Sequence, residues 1–186
     1  MTNPINHPPG AGGFRIRLAT PSDLETLGDL ERAAGECFRD IGMAQIADDE
    51  PLPIEALADH QRAGRAYVTI DGPARVVVYL IWDLVDGNLH VEQVSVHPDA
   101  AGHGLGRSLI EWAAAEAAAR GISALTLTTF RDVPWNAPYY ARNCGFRIVD
   151  DAACGPGLQA IREHEVAHGL DRWPRVCMRR DLAPRG

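Results

Sequence analysis

The stretch Val94-Ser-Val-His-Pro-Asp-Ala-Ala-Gly-His-Gly-Leu-Gly-Arg-Ser-Leu109 decides how this chain is read. Its β-rich start ends at Pro98, and glycines follow at 102, 104 and 106. A long helix is expected from Gly104 to Arg120, with Leu105, Leu109, Trp112, Ala113 and Ala117 along one apolar stripe. Gly121 stops it. Closely spaced glycines let backbone N–H groups turn inward and leave no Cβ in a ligand's way. At a helix N-terminus such a loop suits an anion, phosphate or pyrophosphate above all. It is not a Walker A loop, because no Gly-Lys-Ser/Thr follows. Nor is it a dinucleotide fingerprint, because the GxGxxG spacing is absent and several strands precede it.

Working outward, Phe14–Leu18 alternates as a strand, and Thr20 or Ser22 caps a helix running to about Phe38 on Leu24, Leu27, Leu30 and Ala34. The acidic stretch 42–53 reads as a loop and Ile54–Ala63 as a second helix. Strands follow at Ala66–Ile70, Arg75–Leu84 and His90–His97, joined through Asp71-Gly72 and Asp86-Gly87-Asn88. Turns this short make these three strands antiparallel. Beyond the long helix come a strand at Ser123–Thr129, a helix at Pro134–Asn143, a strand at Phe146–Val149, and a last strand at Arg175–Arg180. Residues 150–172 leave helix and loop open, with Gly155-Pro-Gly157 starting a candidate helix through Ala167. The order describes an α/β domain built on a mostly antiparallel sheet. We expect residues 14–182 to form it and residues 1–13, rich in Pro and Gly, to be a mobile tail.

At the glycine loop the sequence resembles the GNAT superfamily of acyl-CoA N-acyltransferases. In that family a Gln/Arg-x-x-Gly-x-Gly/Ala loop binds the coenzyme A pyrophosphate. Gly104-Leu-Gly106 fits its last part, while Ala101 stands in the Gln/Arg slot. The resemblance thus implies pyrophosphate binding by Ala101, Gly102, His103, Gly104, Leu105, Gly106, Arg107 and Ser108, with Arg107 supplying a compensating charge. Val94-Ser-Val-His-Pro98 resembles the family's fourth strand, which splays from the fifth. There the pantetheine arm pairs with the backbone, here that of Val94, Ser95 and Val96. Asn136-Ala-Pro-Tyr-Tyr140 before Gly145-Phe146 resembles the second family signature. It implies an Asn136 contact to the pantetheine and Tyr140, near the thioester sulfur, as the acid that protonates the leaving thiolate. Tyr139 is the alternative. The implied fold is a single α+β domain with a mixed, mostly antiparallel sheet of about six to seven strands flanked by helices.

Amine acetylation also needs a base, since only the neutral amine attacks a thioester. Glu92, an acid in an otherwise apolar strand, is the candidate; His90, His97 and Asp83 are weaker ones. A backbone N–H near Val94 would hold the oxyanion. The expected reaction is direct transfer from acetyl-CoA to a primary amine in a ternary complex, since no cysteine stands where an acyl-enzyme would need one.

His164-Glu-Val-Ala-His168 matches HExxH, the zinc-peptidase pattern, with Glu165 as its base. After His168, however, only Asp171 and Asp181 remain as candidate third ligands, with no Glu or His. The expectation is therefore no metal, with an HExxH hydrolase and a non-catalytic acyl-CoA-binding module as the competing readings.

Composition bounds the partners. In 186 residues, 18 Lys and Arg stand against 25 Asp and Glu, a net charge of −7. That argues against nucleic acid and favours a cationic acceptor, with Asp48, Asp49 and Glu50 as one acidic run. No apolar run reaches the roughly 18–20 residues of a membrane span, and no secretory signal is read at the start. Cys37, Cys144, Cys154 and Cys177 form no CxxC pair and are expected as free thiols of a cytoplasmic protein. The reading leaves room for a homodimer.

Overall fold

A computed structural model describes residues 13–183 of the chain. The expectation of a mobile tail over residues 1–13 lies outside the described residues, save for Gly13. Among the described residues, seven strands and six α-helices follow one another as β1 (Arg15–Leu18), α1 (Leu24–Gly35), α2 (Ala44–Ala47), α3 (Ile54–Arg62), β2 (Ala66–Asp71), β3 (Arg75–Val85), β4 (Asn88–Val96), α4 (Leu105–Ala119), β5 (Ala124–Phe130), α5 (Ala137–Asn143), β6 (Arg147–Val149), α6 (Pro156–Ala167) and β7 (Arg175–Asp181). The strands hydrogen-bond in the order β1-β2-β3-β4-β5-β7-β6. Of the registers, β1–β2, β2–β3, β5–β7 and β6–β7 are antiparallel and β4–β5 is parallel, so the sheet is mixed as expected.

The chain divides into two compact units, with β3, β4 and α4 each contributing to both. The first holds residues up to Ile81 and Gln93–Leu109. Its core gathers Leu27, Leu30, Leu57, Val68, Tyr79 and Ile81, the apolar faces of α1 and α3 together with β2 and β3. Arg17 and Thr20 fix the entry to α1. The Asp23 carboxylate accepts from the Arg17 guanidinium at 2.7 and 2.9 Å and from the Thr20 backbone N–H at 2.7 Å. Thr20 therefore precedes a 3-10 turn at Pro21–Asp23 before the helix proper begins. The helix is shorter than expected: it gives way at Gly35 to a 3-10 stretch, Glu36–Ile41, which Gly42 ends with φ +77°. The acidic stretch read as loop contains the single turn α2.

The second unit holds Trp82–Glu92 and the chain from Ile110. Asp86 and Gly87 both take positive φ, +50° and +74°, as a tight hairpin turn with the strands' own twist requires. Asp86 has a second task. Its carboxylate accepts from the backbone N–H groups of Gly157 at 2.8 Å and Leu158 at 3.0 Å, the first turn of α6. A Cβ on Gly155 would meet that carboxylate at 2.6 Å and one on Gly157 at 2.9 Å. This contact accounts for Gly155-Pro-Gly157 and settles residues 156–167 as helix. Packed beneath are Cys154, Leu158 and Cys177, with Val85, Val149 and Ile161 around them.

The parallel register of β4 and β5 joins Leu89 to Leu125 and His90 to Thr126, two positions in strands nine and seven residues long. So short a register is what strands that diverge soon after they pair would show. Among the described residues no helix is long and apolar enough to cross a membrane.

Candidate active site

The glycine loop belongs to the first unit. His97 anchors its start: its N–H donates to the Val77 carbonyl at 2.8 Å and its Nδ1 accepts from the Asp99 N–H at 3.2 Å. A 3-10 turn, Pro98–Ala100, then carries the chain to Ala101. Gly102 and Gly104 take φ of +79° and +70°, and a Cβ on either would meet no atom within 4 Å. Both face open space, so their glycine character answers to backbone conformation and to whatever approaches from outside. Gly106 has a different reason: a Cβ there would stand 3.1 Å from Val96 Cγ2. Ala101, Gly102, His103 and Gly104 are exposed, as are Arg107 and Ser108, while Leu105 is buried as the first core residue of α4. The Ser108 N–H and Oγ both turn back to the Gly104 carbonyl, at 3.0 and 3.2 Å. The N–H groups of Leu105, Gly106 and Arg107 open the helix without an acceptor inside it.

Val94 and Val96 are half-buried and Ser95 is buried. The Ser95 hydroxyl accepts from Gln93 Nε2 at 2.9 Å, and Gln93 also reaches Glu31 Oε1 at 3.4 Å. Glu31 on α1 in turn accepts from the Tyr79 hydroxyl at 2.6 Å. Burial pushes the Glu31 carboxyl above its ordinary range, against the hydrogen bonds from Tyr79 and the Leu52 backbone. This group escaped the sequence reading. The signal was there: Glu31 follows Leu24 and Leu27 at helical spacing, so a carboxylate occupies a core slot of α1.

Glu92, Asn136 and Tyr140 belong to the second unit. The Glu92 side chain is 41% exposed, and its Oε2 lies 3.8 Å from His90 Nε2. His90 is 1% exposed, with Nδ1 3.0 Å from Thr126 Oγ1. Burial lowers its pKa to about 4, although Glu165, Asp83 and Asp86 pull the other way, so the ring is neutral at physiological pH. Of the pair, Glu92 is thus the accessible member.

Asn136 precedes α5, whose second residue is Pro138. Its Oδ1 is buried with no hydrogen-bond partner among the described residues. A buried amide oxygen left unpaired is costly, and a ligand N–H would satisfy it. Tyr140 is buried, with Phe146 at 6.0 Å and Tyr139 at 5.9 Å between ring centroids, both edge-on. Its carbonyl accepts from the N–H groups of Cys144 and Phe146, and Gly145 between them has φ +71°. That turn explains the spacing from Tyr140 to Gly145-Phe146. Burial, then the neighbouring Cys144 and Tyr139, raise the Tyr140 phenol well above its usual value. Tyr139 is half-buried on the same helix.

The HExxH match resolves into something else. The His164 and His168 rings do share one face of α6, 4.1 Å apart, but His168 Nδ1 is engaged with the His164 carbonyl at 2.8 Å. Glu165 faces the sheet. Its Oε1 accepts from Arg175 at 2.6 Å and from Thr128, while Arg162 holds its other oxygen. Burial works to raise this carboxyl, but Arg175, Thr128 and Arg162 outweigh it and the net shift is downward. Glu165 is the hub of a buried ion network.

Residues 27–146 match the family model described as Acetyltransferase (GNAT) family. The chain therefore belongs to the GNAT family of acetyltransferases, as the loop and the Asn136–Phe146 segment had implied. Solved structures share the fold. The ribosomal-protein-S18-alanine N-acetyltransferase of Escherichia coli aligns over 93% of this chain and 96% of its own, with TM-score 0.65 and 18% identity. The PaiA N-acetyltransferase of Thermoplasma acidophilum, solved with coenzyme A, aligns over 91% and 99%, with TM-score 0.65 and 14% identity. The N-acetylglutamate synthase of Neisseria gonorrhoeae, solved with coenzyme A and N-acetyl-glutamate, aligns over 91% of this chain and 35% of its own, with TM-score 0.66 and 15% identity.

Proposed function

We propose that this protein moves an acetyl group from acetyl-CoA to a primary amine by direct attack within a ternary complex. The observation that carries the reading is the glycine loop: two glycines at positive φ facing open space, immediately before a helix of 15 residues. The loop Ala101–Ser108 would hold the coenzyme pyrophosphate through N–H groups without an acceptor in the helix, those of Leu105, Gly106 and Arg107 among them, with the Arg107 guanidinium beside them. The backbone of Val94–Val96 would pair with the pantetheine arm, and the unpartnered Asn136 Oδ1 would accept one of its amide N–H groups. Solved relatives of the same fold that hold coenzyme A support this assignment.

Glu92 is the proposed base. It is exposed enough to meet an incoming ammonium directly or through water, and the neutral His90 beside it does not compete for the proton. Attack of the freed amine on the thioester carbonyl gives an oxyanion that an N–H near Val94 would stabilise. When the C–S bond breaks, the Tyr140 phenol would protonate the departing thiolate. Burial keeps the phenol protonated across the working pH range, so the proton is there to be given, while the same upward shift makes it a weaker acid than an exposed tyrosine. The net charge of −7 favours a cationic amine, and we place the reaction in the cytoplasm.

A thiol-release screen with acetyl-CoA and a panel of amines tests this reading: polyamines, peptides with free N-termini, aminoglycosides and amino acids. Release of one coenzyme thiol per acetylated amine is expected. Accumulation of enzyme-bound acetyl without acceptor would refute direct transfer. Calorimetric binding of coenzyme A without turnover on any amine would favour a binding module.

A further inference from the structure

We propose that Asp151, Cys154 and Cys177 form a site for a soft divalent cation of the zinc class, which fastens the start of α6 to β7. The proposal is independent of the acetyltransferase reading. It rests on three ligand atoms, two thiol sulfurs and a carboxylate oxygen, that all lie within 4.8 Å of one another.

Two local structures bring them together. Asp151–Ala153 is a 3-10 turn, in which residues three apart stand on the same side. Asp151 and Cys154 therefore project together, and the turn is closed by the Cys154 N–H on the Asp151 carbonyl at 3.1 Å. Cys177 sits in the middle of β7, opposite Thr128 of β5 and Val149 of β6. Donors around a tetrahedral zinc with sulfur at about 2.3 Å stand roughly 3.7 Å apart, so the cluster needs only a small contraction.

The chemistry of the donors selects the cation. Two sulfurs favour zinc, cadmium or cobalt over magnesium or calcium, which take oxygen. Cys177 is fully buried and Cys154 nearly so, while Asp151 is exposed, so the site is closed by the core on one side and opens to water through its carboxylate. Three protein ligands leave one tetrahedral position for water on that open side. Two thiolates and a carboxylate around a divalent ion leave one negative charge, and the Arg162 charge already acts on Cys177 in the sense that favours its thiolate. As thiolate ligands, Cys154 and Cys177 give up their protons on binding. Binding therefore exchanges two thiol protons for one metal ion, with no oxidation and no other reactant. The histidines of the HExxH match take no part. Among the described residues, the group of three such ligands is Asp151, Cys154 and Cys177.

Cobalt(II) titration of the reduced, full-length chain tests the site. One equivalent should bind with a thiolate-to-cobalt charge-transfer absorption that zinc abolishes. Cys177→Ser should cut that absorption at least by half, one of two thiolates having been lost. Asp151→Asn, at an exposed position that leaves the core intact, should weaken affinity about tenfold or more, a ligand having been lost. His164→Ala should leave it unchanged. Apparent affinity should rise about a hundredfold per pH unit below thiol ionisation, the slope of two released protons. The proposal is overturned if cobalt gives no such band while both thiols react with a thiol reagent after unfolding. It is equally overturned if Cys177→Ser leaves the band undiminished, if Asp151→Asn binds as tightly as the parent, or if fresh protein holds Cys154 and Cys177 as a disulfide and takes up no metal once reduced.

Discussion

Gly106 on α4 stands against Val96 on β4 so closely that a methyl group on it would lie 3.1 Å from Val96 Cγ2. The helix that opens the glycine loop and the strand proposed to hold the pantetheine arm are thus spaced by the absence of one side chain. Alanine at 106 would gain up to about 1 kcal/mol of helix propensity, and the Val96 contact opposes that gain. We expect Gly106→Ala to be neutral or destabilising alone, and stabilising by up to about 1 kcal/mol in a Val96→Ala background. Urea unfolding of the two singles and the double checks it. Equal effects in both backgrounds would show that the contact does not set the spacing.

Gly104 carries a different constraint. With φ +70° and open space around it, a side chain there meets strain in the backbone, not a neighbour. Gly104→Val should cost on the order of 1–3 kcal/mol of stability. Its branched side chain should also occupy the space assigned to the pyrophosphate and weaken coenzyme A binding more than tenfold. Isothermal calorimetry reads the second effect directly, and an unchanged dissociation constant would remove the loop from the coenzyme site.

The strands, the long helix and the loop were legible in the sequence because their signals are local. Alternation marked β1, Asp71-Gly72 and Asp86-Gly87-Asn88 punctuated β2 to β4, and the glycines from 102 to 106 marked the start of α4. The carboxylates in apolar helix slots, half-buried Glu31 and buried Glu165, were not legible. Glu31 follows Leu27, and Glu165 follows Ile161, each at the four-residue spacing that normally continues an apolar stripe. Their partners explain why: Tyr79 lies 48 residues from Glu31, and Arg175 comes from a different element than Glu165. A periodicity window sees a charge in an apolar slot but not the donor that satisfies it. The HExxH match shows the same limit. Its spacing correctly put both histidines on one helix face, while the direction of Glu165 was set by Arg175 and Thr128 on the sheet.

Tyr140→Phe separates chemistry from binding. The phenol lies on a helix whose end its own backbone carbonyl secures, so removing the hydroxyl leaves that turn intact. Turnover should fall on the order of a hundredfold, with coenzyme affinity within about a factor of two of the parent. Steady-state kinetics beside calorimetry measures both. Undiminished turnover would assign the proton to another donor, with Tyr139 the next to test.

His90 makes stability depend on pH in a defined window. Its pKa is about 4 in the fold against 6.5 for an ordinary histidine, so the unfolded chain binds a proton that the folded one refuses between those values. Stability from this residue is complete above pH 6.5 and is lost as the pH falls toward 4, in total roughly 3 kcal/mol. His90→Gln, which keeps a hydrogen-bonding group for Thr126, should lack that loss. Chemical denaturation of both proteins from pH 7.5 to 4.5 compares them, and carboxylates that titrate alike in both cancel. Parallel curves would mean that His90 is accessible to protons in the native state.

Glu165 gives the last and sharpest test, because the two readings of its segment disagree about it. As the hub of the buried network with Arg175, Arg162 and Thr128, it holds charges that have no water to fall back on. Removing one partner of such a group leaves the others buried and uncompensated, which costs about 3–5 kcal/mol. Glu165→Ala should therefore lower the denaturation midpoint steeply. Its carboxyl lies below the ordinary range in the fold, so its contribution is present at neutral pH and fades as acid protonates it. The gap between parent and variant should then narrow with falling pH. A hydrolytic base would behave in the opposite manner: stability would barely change and a peptidase activity would vanish. A variant as stable as the parent would show that the arginines find water or other partners, and that α6 is held to β7 by something other than this carboxylate.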